Sequence, residues 1–171
     1  MDGLIAAIAR ELVDRLRELN RRINELEREI KPLVAALAPA LLAIPGCGAL
    51  TAAKLVGETA GIARFRSKSA YARWNGTAPQ PASSATTNRF RLNRGGNRQV
   101  NAALHRIAIT QARTSPKGRD FIAKRIRQGN SRTEALRVLR RRLSDVVYRT
   151  PRLDEYATPP RSHHQSHHDL T

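Results

Sequence analysis

Leu12, Leu16, Leu19, Ile23, Leu26, Ile30, Leu33 and Leu37 recur at alternating steps of four and three residues. That rhythm is the seam of a coiled coil, in which one helix face meets a partner helix at every heptad. Leu4, Ile5 and Ile8 extend it toward the N-terminus with a phase slip, and the other faces mix charges, as in Arg22, Glu25, Arg28 and Glu29. Pro32 lacks a backbone donor and marks a place where the helix would kink or restart. So regular a seam needs a partner, and another copy of the chain is the expected one. A homo-oligomer built through the N-terminal helix follows.

Charge is distributed unevenly around this helix. The net charge is +17. Residues 1–31 hold seven basic and seven acidic side chains, whereas residues 59–119 hold twelve Arg or Lys and no acid. A one-sided field of this kind points to a polyanion, because released counterions favour binding. The excess of Arg over Lys suits bidentate phosphate contact. A membrane surface is disfavoured as partner, since no long basic amphipathic helix with bulky apolar residues is present. The run Leu33–Ile44 is too short to span a bilayer and is broken by Pro39. The single Cys47 cannot form an internal disulfide, which with the lack of a secretory signal fits a cytoplasmic protein. The 171 residues suffice for one domain plus an extension, with a core of Leu, Ile, Val and Ala because only 4% are aromatic.

Beyond the seam, Ile44-Pro45-Gly46-Cys47-Gly48 runs into Ala49-Leu50-Thr51-Ala52-Ala53-Lys54-Leu55. Gly46 and Gly48 are expected to adopt backbone angles closed to other residues, giving a tight turn. Backbone amides at such a turn, with the positive end of the next helix, form an anion site. The pattern is that of a helix-hairpin-helix gripping a nucleic-acid backbone, with Thr51 and Lys54 as further contacts. The competing reading is an ordinary turn between core helices.

The remainder reads as helices separated by strong punctuation. A helix over about 49–59 precedes a second one capped by Ser67 and ended by Asn75-Gly76. Residues 77–93 look irregular or strand-like. Asn97 and its glycines open a helix whose apolar face is Val100, Leu104, Ile107, Ala108 and Gln111. Ser115-Pro116 starts another, carrying Phe121, Ile122 and Ile126 as far as Gly129-Asn130. Ser131 and Glu134 form a capping box for the last helix, which should bury Leu136, Leu139, Leu143 and Val147 and expose Arg140, Arg141 and Arg142. The fold class is therefore mainly α: a coiled-coil helix over 1–40, a compact helical domain over 41–150 with a hairpin motif and an irregular serine loop, and a disordered tail over 151–171. His163, His164, His167 and His168 in that tail are weak metal binders at most.

A second constellation combines Ser83-Ser84 with Arg89, Arg91, Arg94, Gly95, Gly96, Asn97 and Arg98. A hydroxyl there could attack a phosphodiester while the arginines and the amides of Gly95-Gly96 neutralise the transition state. No base sits beside the serines in sequence. His105, the one histidine before the tail, reads as structural.

Taken in this order, both constellations resemble the C-terminal domain of the insertion sequence one-ten family of transposases. The resemblance rests on Ile44 through Ala53, Arg64-Phe65-Arg66-Ser67, Tyr71-Ala72, Asn75-Gly76-Thr77-Ala78-Pro79, Ser83-Ser84, and Arg91-Leu92 through Asn97-Arg98. It extends through His105, Gln111 and the Glu134-to-Asp145 helix, covering roughly residues 1–150. The resemblance implies a partner domain, similar to Holliday-junction resolvases, that holds metal ions on four acidic residues. It also implies a serine that forms a covalent phosphoserine with DNA, a coiled coil that builds the oligomer, and a structured guide RNA that selects the target. Counted from Pro79 the family serine falls on Ser84, with Ser83 as the alternative.

Two departures shape the expectation. Ala85 stands where the family has glycine after the serine, which puts activity at Ser84 in question. The chain also begins inside the coiled coil, and Asp2, Asp14 and the helical glutamates do not replace a metal-binding domain. No cofactor is therefore expected in this chain, with Mg2+ belonging to the N-terminal domain, and the chain alone is expected neither to cut nor to join DNA. Its partners are then DNA, a guide RNA and further copies of itself. A non-catalytic remnant that binds nucleic acid and joins or inhibits an intact transposase is the alternative.

Overall fold

The computed structural model describes residues 2–81, 90–91 and 95–150. Helix α1 spans Asp2–Leu37 and runs through Pro32 without restarting. Pro32 is exposed, so the carbonyl it leaves unpaired faces water rather than the core. The break comes instead at Ala38, whose φ of −146° takes it out of the helical region ahead of Pro39. The proline ring disfavours helical geometry at the preceding residue. A single turn, α2 (Pro39–Leu42), follows.

Helix α3 covers Ala49–Thr59 and α4 covers Lys68–Trp74. Two short strands, β1 (Gln80–Pro81) and β2 (Phe90–Arg91), pair antiparallel with Gln80 opposite Arg91. Helices α5 (Arg98–Thr114), α6 (Pro116–Arg127) and α7 (Arg132–Arg149) complete the fold. The fold is mainly α, as the sequence indicates, and no helix is long and apolar enough to cross a membrane.

Polar caps decide where these helices start. Ser67 accepts from the Ala70 amide at 3.2 Å and Ser115 from the Gly118 amide at 3.4 Å. Ser131 and Glu134 satisfy each other's amides in a capping box. Each such cap meets donors that the first turn of a helix otherwise leaves without partners.

The core is aliphatic, with α5 at its centre between α3, α6 and α7. Val100, Leu104, Ile107 and Ala108 are fully buried on one face of α5, against Leu41, Leu55, Ala135 and Val147 from the other helices. The core reaches back into α1, where Val34 is buried and Ile30 is half-buried. Truncating any of the large buried aliphatics to alanine costs about 2–5 kcal/mol.

Two expectations need correction. Leu136 is half-buried and Ala135 takes the buried position one residue earlier. Arg140 is half-buried rather than exposed, because it lies over α5 and donates to Asn101 Oδ1 at 3.1 Å. Arg141 is likewise half-buried and ion-paired with Asp145, and only Arg142 of the three is exposed.

Candidate nucleic-acid interface

The turn before α3 is built around Gly46. Its φ is +82°, and a Cβ there would stand 2.9 Å from Thr110 Cβ and 3.3 Å from the Ile107 carbonyl oxygen on α5. Backbone conformation and close packing therefore both require glycine. Gln111 Nε2 donates to the Pro45 carbonyl at 2.8 Å and closes the same contact, which explains its place at the edge of the apolar face of α5. Gly48 differs. At φ −76° and ψ 172° it has extended backbone open to any residue, and a Cβ would meet nothing within 4 Å. The expectation that both glycines need forbidden angles holds for Gly46 alone.

Gly48 serves as the N-cap of α3 and supplies no side chain, so the first amides of that helix have no side-chain cap. Helices α4, α5, α6 and α7 all carry one. Thr51 is half-buried in the first turn, and Ala52 is fully buried where α3 meets the core. Cys47 is buried at the turn, and that burial pushes its thiol up to about 11, which keeps it protonated and unreactive.

The start of α5 meets α3 beyond the Gly46 turn, through side chains 45 and 39 residues apart in sequence. Lys54 Nζ donates to Gln99 Oε1 at 2.8 Å, and one turn further along α3 Glu58 Oε2 accepts from Asn97 Nδ2 at 2.9 Å. Asn97 Oδ1 in turn accepts from the amides of Gln99 and Val100, at 3.0 and 2.9 Å, and caps α5. The side chain of Asn97 is thus engaged at both ends. Glu58 was not singled out from sequence: it stands at the edge of the acid-free stretch, and only the packing of α3 against α5 reveals its partner. Arg98 and Lys54 are exposed beside this junction.

Below it lies a backbone clasp. Asn97 N donates to the Trp74 carbonyl at 2.7 Å, and Asn101 Nδ2 to the Asn75 carbonyl at 2.8 Å. Gly96 packs so closely that a Cβ would fall onto the Gly76 backbone and within 2.8 Å of the Asn75 carbonyl carbon. Asn75 is fully buried and fully used: Nδ2 donates to Ser144 Oγ at 2.8 Å, while Oδ1 accepts from the Thr77 hydroxyl at 2.7 Å and amide at 3.1 Å. Asn101 also accepts from Arg140, which links α7 to the clasp. Asn75–Thr77, ahead of β1, and Gly96-Asn97, after β2, thus lie within one bonded cluster.

Gly95 is exposed at the return point. Ser83, Ser84, Ala85, Arg89 and Arg94 lie outside the described residues, as do the four tail histidines. Arg91 is placed only by its backbone pairing with Gln80. His105, one turn beyond Asn101, is half-buried, and burial together with the positive charge of Arg140 holds its imidazole below the usual histidine range. Among the described residues no three of His, Cys, Asp and Glu come together as metal ligands. Asp14, Glu18 and Glu25 of α1 instead pair with arginines of the same helix, Glu18 with Arg21 at 2.7 Å.

A comparison with curated proteins finds no match. A family model described as the transposase IS116/IS110/IS902 family matches residues 38–123, half of the chain. The match takes in the Gly46 turn, the α3–α5 junction and the clasp on either side of the serine-bearing segment. On that match the chain belongs to the transposase IS116/IS110/IS902 family.

Proposed function

We propose that this chain is the DNA-binding C-terminal half of a transposase, acting in DNA transposition and recombination, with Ser84 as nucleophile and Ser83 as its neighbouring alternative. The observation that carries this reading is the clasp. The segment containing both serines is flanked on each side by residues of one bonded cluster, beside the exposed cations Lys54 and Arg98. Tethering both ends of that segment lowers the entropy lost when a hydroxyl is brought to a phosphate. In the reaction the serine Oγ attacks phosphorus, the P–O bond to a deoxyribose oxygen breaks, the serine proton ends on that oxygen as a free hydroxyl, and a phosphoserine ester joins protein to DNA. Arg89, Arg91, Arg94 and Arg98 offset the phosphate charge, and the amides of Gly95-Gly96 donate to its oxygens.

This reading assigns the metal ions to an N-terminal domain rather than to the residues of this chain. A metal-binding N-terminal domain and a guide RNA are the partners this reading requires, along with a second copy joined through α1. The test is a strand-transfer reaction with that domain and RNA supplied, scored for a covalent protein–DNA adduct. The adduct should form with the wild-type chain and vanish in Ser84→Ala. An adduct that persists in Ser84→Ala but is lost in Ser83→Ala moves the role by one residue.

DNA binding has its own test. Log affinity for duplex DNA should fall linearly with log salt, and Arg91→Ala and Arg94→Ala should each flatten that slope by about one. A slope unmoved by either variant removes those arginines from the interface.

Ala85 favours a second reading, a non-catalytic remnant that joins an intact transposase and inhibits it. Co-expression should then yield mixed oligomers and lower transposition. Unmixed oligomers with undiminished transposition would end that reading.

A further inference from the structure

One surface beside the clasp is used by none of the steps above. The Arg64 guanidinium carbon stands 4.6 Å from the Phe65 ring centroid and 4.8 Å from that of Trp74, while Arg64 itself is exposed. The rings beneath it are held firmly. Phe65 and Trp74 lie 4.9 Å apart, and Tyr71 packs under both, at 5.1 Å from Phe65 and 5.7 Å from Trp74. Tyr71 is fully buried with its hydroxyl 3.3 Å from Thr59 Oγ1, and Tyr148 donates to the Phe65 carbonyl at 3.1 Å. Among the described residues Arg64 has no carboxylate partner.

Further cations follow in sequence. Arg66 and Lys68 are exposed, and the nearest preceding acid, Glu58, is engaged by Asn97. Trp74 itself adjoins the clasp through its carbonyl.

A planar cation lying on aromatic rings, with its outer side in water, stacks well on another flat π-system. The ligand that matches flat stacking and surrounding positive charge at once is an unpaired nucleobase with its phosphates. In a duplex the base faces are hidden, and such a surface would meet only the backbone. We propose that Arg64, Phe65 and Trp74 form a stacking platform for an unpaired base of single-stranded nucleic acid. This rests on the reading of the chain as a nucleic-acid binder and specifies which strand state is held beside the clasp.

Trp74 is the one tryptophan in the chain, so its fluorescence reports on the platform directly. The full chain is titrated with oligothymidylate, with oligouridylate, and with a blunt duplex of equal length whose binding is followed by anisotropy of an attached label. Saturable quenching by a single strand, absent or much weaker with the duplex, is expected. Quenching by the DNA strand, the RNA strand or both supports the platform and identifies the source of the base. Arg64→Lys keeps the charge and removes the plane, and should weaken single-strand binding about tenfold while leaving duplex affinity unchanged. Arg64 is exposed, so this variant should fold, which circular dichroism checks. Duplex binding without single-strand quenching, or an Arg64→Lys variant that behaves as wild type, overturns the platform and leaves the DNA-binding reading standing. Binding of neither strand nor duplex overturns both.

Discussion

Glu58 Oε2 accepts a hydrogen bond from Asn97 Nδ2 at 2.9 Å, and this contact ties the helix after the Gly46 turn to the helix after the serine-bearing segment. The same asparagine caps α5 through its oxygen. One side chain thus joins the halves of the candidate site and fixes where the second of them begins.

Asn97→Ala removes the Glu58 bond and the cap and should lower stability by about 1–2 kcal/mol, seen as a drop of a few degrees in Tm. Asn97→Asp is the sharper probe. It keeps an oxygen for the cap but sets a second carboxylate against Glu58. The resulting loss should be recovered when Glu58→Gln is added, so the double variant should be more stable than Asn97→Asp alone. A double variant less stable than Asn97→Asp would show that Glu58 holds something other than Asn97.

The two glycines of the turn should respond in opposite ways. Gly46→Ala places a Cβ at positive φ and against Thr110, and should cost about 1–3 kcal/mol. Gly48→Ala meets open space at an ordinary backbone conformation, so its effect on Tm should be small. Gly48→Ser goes further: a hydroxyl at the N-cap should stabilise α3 and compete with any phosphate for its first amides. Chemical denaturation of the three variants, with duplex affinity measured alongside, separates the turn's structural part from its binding part.

His105 gives a pH dependence whose sign follows from its surroundings. Burial and the charge of Arg140 lower its folded pKa. The unfolded chain therefore takes up a proton first as pH falls, and unfolding is favoured on the acid side. Stability contributed by the neutral imidazole should be fully present above the ordinary histidine pKa of about 6.5 and should be lost progressively below it. Glu134, whose carboxyl is lowered by its bonds to Ser131, acts only further into acid, around its own ordinary value of 4.5. Thermal melts between those two values should show a fall that His105→Gln flattens. An unchanged slope in that variant would assign the effect to other groups.

Much of this was legible because it was local. Ser67, Ser115 and Ser131 announce helix starts through their own spacing to the following amides, and the apolar period of α5 announces its buried face. What was not legible depends on contacts between distant elements. Arg140 looks like a solvated residue in a run of three arginines until α7 is laid against α5, where Asn101 receives it. Gly48 reads like Gly46 in sequence, and only the position of Thr110 on α5 shows that Gly46 is enforced by packing and Gly48 is not. Pro32 carries the local signal of a break. The burial of Val34 and Ala38 holds the following turn in place, and the break moves to the next proline.

The N-terminal helix supplies the last prediction. Between Leu12 and Leu26 the heptad positions all point into water, with Leu16 59% and Ile23 52% exposed, although the same seam becomes half-buried at Ile30. The stripe therefore touches the core at Ile30, while Leu33 beyond it is exposed again and the part before it lacks a cover among the described residues. The flanking Arg21–Glu18 and Arg21–Glu25 pairs lie within the helix and at the surface, so each contributes little. Burying the stripe against a second copy would remove several large aliphatic side chains from water, at about 25 cal/mol per Å2 of apolar surface. Leu16→Glu with Ile23→Glu should therefore convert an oligomer to a monomer in sedimentation or light scattering. The melting transition of the helical domain should persist, because neither residue touches its core. DNA affinity should fall as well, since a paired chain presents its basic surface twice. If the double variant keeps the wild-type mass in solution, the seam is not what joins the copies.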